Sequence, residues 1–278
     1  MSAFHFKRIG LLCKDSEKSR AIAAEIVEYL DAKAAAGVIP QYFIEPGAAA
    51  RLSPKSKPHS FSAHSPQAVD CIILAGGDGA FLQAEADFPG IPKLAVNSGN
   101  VGFLSELGED FRKGFDRFFA GDFHVAEVSK LCVHSGRRSY EALNDAYAYG
   151  VKPFRPVNFR ISSSFFNEVF FANGIIFSTP TGSTGHAFSA GGPLVSPALE
   201  CMLMKPVAPL NPLLRSVVFP PSEKIIVEPL ERKAAFSVDG IFSEPFERLE
   251  ISASKNKARL VQLGGEGVMA RLRRKLLY

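Results

Sequence analysis

"ILAGGDGAFLQA", residues 73 to 84, runs from an apolar strand-like stretch through a glycine turn into a helix-like stretch. Such a turn exposes consecutive backbone N–H groups, and the helix after it adds its positive end, so the turn suits a phosphate. Asp78, set among Gly76, Gly77 and Gly79, should repel that anion. It therefore needs a role of its own. It could hold a divalent cation beside the phosphates, accept a proton from an attacking hydroxyl, or cap the helix. The turn fits neither the G-x-G-x-x-G fingerprint nor the G-x-x-x-x-G-K-[ST] loop.

Outward from the turn, strands and helices alternate. "FKRIGLLC" (6 to 13), "PQYFIEP" (40 to 46), "VDCIIL" (69 to 74) and "IPKLAVN" (91 to 97) have strand length and apolar content. Ile22, Ile26 and Leu30 recur at helical spacing after the first strand, and "EDFRKGFDRFFAGDF" contains another helix. This order predicts a mostly parallel sheet with helices on both faces. Residues 51 to 68 are rich in Ser, Pro, Lys and His and read as an exposed loop. From about residue 122 the chain changes to short β-prone runs separated by turns, with partial alternation at Phe159-Ile161 and Ile225-Val227. The expectation is an α/β domain over 1–121 and an antiparallel β-sandwich over 122–264. "ARLRRKLLY" reads as a last helix, and residues 265–278 could return to the first domain.

With 46% hydrophobic and 22% charged residues among 278, a core of ordinary size is available. The net charge of +4 suits an anionic small ligand and is too weak to argue for nucleic acid. Cys13, Cys71, Cys132 and Cys201 lie far apart with no C-x-x-C pair, so zinc and thioredoxin-like chemistry have no support. No signal peptide is expected before the first strand, and no apolar run reaches the length of a membrane span. A cytoplasmic protein with reduced thiols is the expectation.

Two further segments carry chemistry. "NSGNVGFLSEL" (97 to 107) is a glycine turn after the next strand. Ligands in an open α/β sheet gather at the carboxyl ends of strands, so the two turns could lie side by side. Phe103 could stack on a base or belong to the core. "NGIIFSTPTGSTGHAFSAGGP" (173 to 193) is dense in hydroxyls and glycines, among them Thr181, Thr184, Gly185 and Ser189. It could bind a ribose or phosphate, or simply cap the short helix expected at "TGHAFSAGG".

Taken together, these segments resemble the NAD kinase family: G-G-D-G after a strand, N-x-G-x-x-G-F-L from Asn97, an Asn-acidic pair, S-T-P-T-G-S-T from Ser178, and a late V-D-G. G-G-D-G alone is shared with lipid kinases and phosphofructokinases; the S-T-P-T-G-S-T…S-A-G-G-P order is far more specific. The resemblance implies a Rossmann-like α/β domain, then an antiparallel β-sandwich that binds NAD, with the active site between them. It implies transfer of the terminal phosphoryl group of ATP, or of polyphosphate, to the 2′-hydroxyl of the adenosine ribose of NAD. Mg²⁺ or another divalent cation would arrive with the donor phosphates. Asp78 would take the proton, and Gly76, Gly77 and Gly79 would face the donor phosphates. Phe103 would lie against the adenine, with Asn97 in the same segment. Asn144 and Asp145 would hold ribose or adenine. Asn173, Thr181, Thr184, Gly185, His186 and Ser189 would line the NAD pocket, and Asp239 would approach the nicotinamide end. A homo-oligomer, a dimer or tetramer, is implied; nucleic acid and membrane partners are not.

The chain departs from the family pattern at several places. Ala80 stands for the threonine of G-G-D-G-T, Asp145 for a glutamate, Asn173 for an aspartate, and Gly185-His186 for Ala-Tyr. "APLNPL" (208 to 213) has no histidine. Two other readings therefore stand beside this one: a phosphotransferase with a different acceptor, lipid or nucleotide, and a nucleotide-binding paralogue that does not catalyse.

Overall fold

The computed structural model describes residues 6–264 apart from 40, 53–58, 64, 66–67, 100–101, 109, 153–154, 212 and 232. The chain forms two compact units. Unit 1 comprises the chain up to Glu127 together with the stretch from Ala258, and unit 2 is Val128–Lys257. The expected last helix at 265–278 lies outside the described residues.

Unit 1 is built on β1 (Arg8–Cys13), β2 (Gln41–Ile44), β3 (His59–Ser60), β4 (Cys71–Ala75) and β5 (Lys93–Val96), in spatial order β3-β2-β1-β4-β5. All of these pairs are parallel. Every residue of β4 and β5 is buried, which explains their unbroken apolar reading: helices cover both faces of a parallel sheet. On one face, α1 (Glu17–Ala35) sets Ile22, Ile26 and Leu30 beside Ile9, Leu11 and Ile73. Phe115 and Phe118 of α4 (Arg112–Phe119) close the same cluster. On the other face, Phe43, Phe61, Ile72 and Phe88 pack together, the last of these at the end of α3 (Asp78–Asp87). Strand order reverses between β1 and β4, so the crevice at their carboxyl ends is where a ligand is expected. The Gly76–Gly79 turn lies there.

Some of the described residues of 51–68 take regular structure where the composition suggests an exposed loop. A helix, α2 (Pro46–Leu52), runs into it, and β3 pairs with β2 through Phe43↔His59 and Ile44↔Ser60. Phe61, one aromatic in a polar stretch, is the reason. It is buried against Gly10, where an added Cβ would come within 2.8 Å of the ring.

One buried ion pair ties α3 to β5. Lys93 Nζ donates to Glu85 Oε2 at 2.6 Å and to the carbonyls of Phe88 and Ile91 at 2.7 and 2.9 Å. Removing one member leaves an uncompensated charge in the interior. Glu85→Gln is expected to cost about 3–5 kcal/mol of unfolding free energy. A urea midpoint shifted by less than the equivalent of about 1 kcal/mol would show that the carbonyls alone carry the ammonium.

Unit 2 is two antiparallel sheets face to face. The first contains β8 (Asp145–Gly150), β11 (Gly174–Ser178), β12 (Met202–Val207), β13 (Val217–Phe219), β15 (Ala234–Val238) and β16 (Phe242–Phe246), ordered β13-β12-β11-β8-β15-β16. The second runs β10-β9-β14-β17, from β9 (Val157–Ser162), β10 (Asn167–Ala172), β14 (Lys224–Pro229) and β17 (Leu249–Gln262), with β6 (His124–Ser135) paired to β17 and to β7 (Arg138–Ala142). Alternate residues point inward. Ala146, Ile175 and Phe236 of the first sheet meet Phe159, Ile225 and Ile251 of the second in one core. A 3₁₀ turn (Gly182–Thr184) and a one-turn helix, α5 (His186–Ser189), follow β11.

The unit boundaries fall at 127/128 and 257/258, where the sequence suggests a division near 121/122 and a return of 265–278. The change of texture at 122 marks the start of β6, and β6 pairs with β17 while both strands run on from one unit into the other. The described segment that rejoins unit 1 is therefore the end of a strand, which pairs with β5 at Leu260↔Lys93.

Candidate active site

The site residues fall into two groups, one in each unit. In unit 1, β4 ends at Ala75 and Gly76 N–H donates to Val96 O at 3.0 Å. A Cβ on Gly76 would lie 2.6 Å from that of Ala80, so the tight turn into α3 requires glycine. Gly77 caps the helix with backbone alone, and Asp78 is its first residue. The Asp78 carboxylate turns away from its own helix. Oδ2 accepts from Phe103 N–H at 2.9 Å and Oδ1 from Leu104 N–H at 3.0 Å. Gly102 permits this approach, since a Cβ there would stand 2.5 Å from Oδ1. The cap role is thereby excluded. Two N–H donors on a carboxylate leave lone pairs for another donor.

Asn97 Oδ1 accepts from Gly99 N–H at 3.1 Å and stands 3.9 Å from where a Gly77 Cβ would be, so the second glycine turn lies against the first. Ser98 Oγ meets Ser19 Oγ of α1 at 2.7 Å, which anchors that turn from below. Phe103 remains partly exposed while Leu104 is buried. Residues 100 and 101 of this segment lie outside the described ones. Beside Gly79 and Ala80 a cavity of about 520 Å³ opens, edged by Lys14, Glu45, Gln83 and Asp87. Lys14, the residue after β1, lines this cavity with its Cβ 3.4 Å from where a Gly76 Cβ would be; the sequence offered no motif to single it out.

In unit 2 the Asn-acidic pair and the hydroxyl-rich segment are locked together. Thr179 Oγ1 donates to Leu143 O at 2.6 Å, while Thr179 N–H and Ser178 Oγ donate to Asn144 O at 2.9 and 3.2 Å. Gly182 N–H donates back to Thr179 Oγ1 at 3.0 Å. A Cβ on Gly185 would lie 3.9 Å from Asn144 Nδ2. Thr184 Oγ1 donates to Thr181 O at 3.0 Å and Ser189 Oγ to Gly185 O at 3.2 Å. Those bonds shape the turn and α5. Asp145 is buried, and its Oδ1 lies 3.8 Å from His186 Nδ1. The His186 ring stands edge-on to Tyr147 at 4.9 Å, so a phenol is present in this corner although position 186 lacks one.

Asp239 accepts from the N–H groups of Leu143, Asn144 and Asp145 at 2.7, 2.8 and 3.0 Å. Burial lifts its carboxyl to about 6, against the downward pull of those three donors, and the nearby Asp145 carboxylate adds to the rise. Asn173 stands apart from this group. It precedes β11, whose other end leads into Thr179, and the strand between spans roughly 17 Å at about 3.3 Å per residue. Within one chain the structure does not bring Asn173 beside Asn144. Gly102, Ser178, Thr179 and Gly182 escaped assignment as site residues because they act through clearance and backbone bonds.

A parallel α/β unit with an acid held over a glycine turn at its switch point, followed by a sandwich with a locked Asn-acid pair, defines a small-molecule phosphotransferase. Residues 9–123 match the ATP-NAD kinase N-terminal domain and residues 154–263 the ATP-NAD kinase C-terminal domain. The NAD kinase of Thermococcus gammatolerans is 39% identical over 214 residues, covering 71% of this chain and 75% of that protein. The chain belongs to the NAD kinase family. Solved structures share its fold, two of them as follows. Yeast NADH kinase complexed with NADH superposes with a TM-score of 0.86 at 22% identity, covering 98% of this chain and 87% of that one. An NAD kinase from Archaeoglobus fulgidus in complex with ATP gives 0.75 at 24% identity, covering 96% and 98%.

Proposed function

We infer that this chain is an NAD kinase, transferring the terminal phosphoryl group of ATP to the 2′-hydroxyl of the adenosine ribose of NAD to give NADP. The observation that carries the reading is the Asp78 carboxylate, fixed by two backbone N–H groups beside a glycine turn that opens a helix. Phosphoryl transfer asks the protein chiefly for positioning and charge. The Gly76–Gly79 turn and the start of α3 would hold donor phosphates, with Lys14 adding a positive charge beside them. Asp78 would accept the ribose hydroxyl proton as that oxygen attacks. Phe103 would lie against the adenine, and Asn144 and Asp145 would hold the nucleoside.

Mg²⁺ or another divalent cation would come in on the donor phosphates and neutralise charge there; Asp78, a hard oxygen donor at the turn, fits such an ion. Polyphosphate would suit the same turn, because backbone N–H groups read phosphate and not base. No helix among the described residues is long and apolar enough to cross a membrane. A cytoplasmic setting and a homo-oligomer, dimer or tetramer, belong to the same proposal; in the former, Cys13, Cys71, Cys132 and Cys201 would stay free as they are here.

The test is incubation with ATP, Mg²⁺ and NAD, assayed for NADP, with polyphosphate as a second donor. NADP formation is expected, from a species heavier in light scattering than one 30.1 kDa chain. No NADP with either donor would remove the kinase reading. Phosphoryl transfer to some other alcohol would point to the altered corner at Asp145 and His186.

A further inference from the structure

Asp239 sits in the turn between β15 and β16, and the phosphoryl-transfer step does not use it. Its backbone is left-handed, with φ of 50°, a conformation that costs a residue other than glycine. That backbone aims the carboxylate back across the turn into unit 2. There it collects three consecutive N–H groups, with Oδ2 on Leu143 and Oδ1 on Asn144 and Asp145. Asp239 N–H in turn donates to Asp145 O at 2.9 Å.

The same stretch of backbone is gripped from its opposite side. Thr179 and Ser178 bind the carbonyls of Leu143 and Asn144. Gly182 packs so close that an added Cβ would lie 2.1 Å from Asn144 O. With both N–H and C=O groups committed, the peptides on either side of Asn144 have no freedom to rotate. What the clamp leaves to vary are the side chains of Asn144 and Asp145, whose starting directions it fixes.

We propose that Asp239 is a positioning residue for the nucleotide acceptor, acting through the backbone of residues 143–145 to aim Asn144 and Asp145, and touching no ligand itself. This rests on the NAD kinase reading above. It differs from the resemblance, which would send Asp239 to the nicotinamide end. Three of that carboxylate's roughly four acceptor sites are already taken by N–H groups of residues 143–145.

The test is a thermodynamic cycle on the full-length protein, with NADP formation as the readout. Asp239→Asn keeps the size but turns an NH₂ group toward N–H donors. The Michaelis constant for NAD is expected to rise about 10-fold, with kcat within about threefold and the melting midpoint lowered by several degrees, the scale of one lost charge-assisted bond. In an Asn144→Ala/Asp145→Ala background, the same replacement should change the Michaelis constant less than about twofold, because the side chains it aims are gone. An increment of full size in that background means direct contact with the ligand and overturns the proposal. So does an unchanged Michaelis constant in Asp239→Asn alone, or an Asp239→Asn chain that no longer folds, which would make the residue a requirement of the fold. A wild-type protein that makes no NADP would instead remove the kinase reading itself, so the two failures are told apart.

Discussion

Replacing Asp78 with asparagine is expected to lower kcat for NADP formation by about 100-fold or more, the scale of a lost general base. The substitution is isosteric, so what changes is charge and proton affinity. An amide cannot take the ribose hydroxyl proton, and its NH₂ group must face either Phe103 N–H or Leu104 N–H, both of which now donate to the carboxylate at 2.9 and 3.0 Å. One of two charge-assisted bonds to the second glycine turn is therefore lost as well, worth about 1.5–3 kcal/mol. The Michaelis constant for NAD should rise with it, since Phe103 rides on the turn that Asp78 holds. Helix α3 should survive, because Gly77 caps it without any side chain. The measurement is single-turnover and steady-state NADP formation with both substrates saturating, alongside a melting curve. A kcat within threefold of wild type, with only the Michaelis constant altered, would reduce Asp78 to a tie between two loops and leave the proton without an acceptor.

Most of the architecture was legible in the sequence because its signals are local. Strands buried on both faces read as unbroken apolar runs, as in Cys71–Ala75, and strands buried on one face alternate, as in Val157–Ser162. Helix α1 shows its inward stripe at Ile22, Ile26 and Leu30. The unit boundary was not legible, because a strand that continues from one unit to the next has no composition break at the crossing; the visible break at 122 belongs to its start. Phe61 was hidden for a different reason. A single aromatic among Ser, Pro and His has no period, and only the space above Gly10 shows that it is a plug.

In the site, acids and hydroxyls in conspicuous motifs could be picked out from the sequence, but what each one holds could not. Thr179 looks like Thr181 in the sequence, yet its hydroxyl is committed to Leu143 O at 2.6 Å. The V-D-G turn is conspicuous, but nothing in it tells that Asp239 faces inward. Asn173 opens the same sequence segment as Thr179, yet the extended strand β11 lies between them.

Gly182→Ala is the sharpest test of that locked geometry. A methyl group there would stand 2.1, 2.5 and 2.6 Å from the carbonyl oxygen, carbonyl carbon and Cα of Asn144. These are backbone atoms held from both sides, so no flexible side-chain end can yield. The 3₁₀ turn or the Asn144 peptide must move, and the Thr179 bonds go with it. Such overpacking costs about 1–3 kcal/mol, and the Michaelis constant for NAD is expected to rise at least 10-fold through the displaced Asn144. Gly79→Ala gives the comparison for stability, since nothing lies within 4 Å of its added Cβ and its melting midpoint should hold. If Gly182→Ala lowered the midpoint but left NAD affinity unchanged, the turn could shift without carrying Asn144, and that side chain could not be where the nucleotide is read. If both change together, the place where the acceptor binds is fixed by the contact between Gly182 and the Asn144 peptide, two segments nearly forty residues apart in the chain.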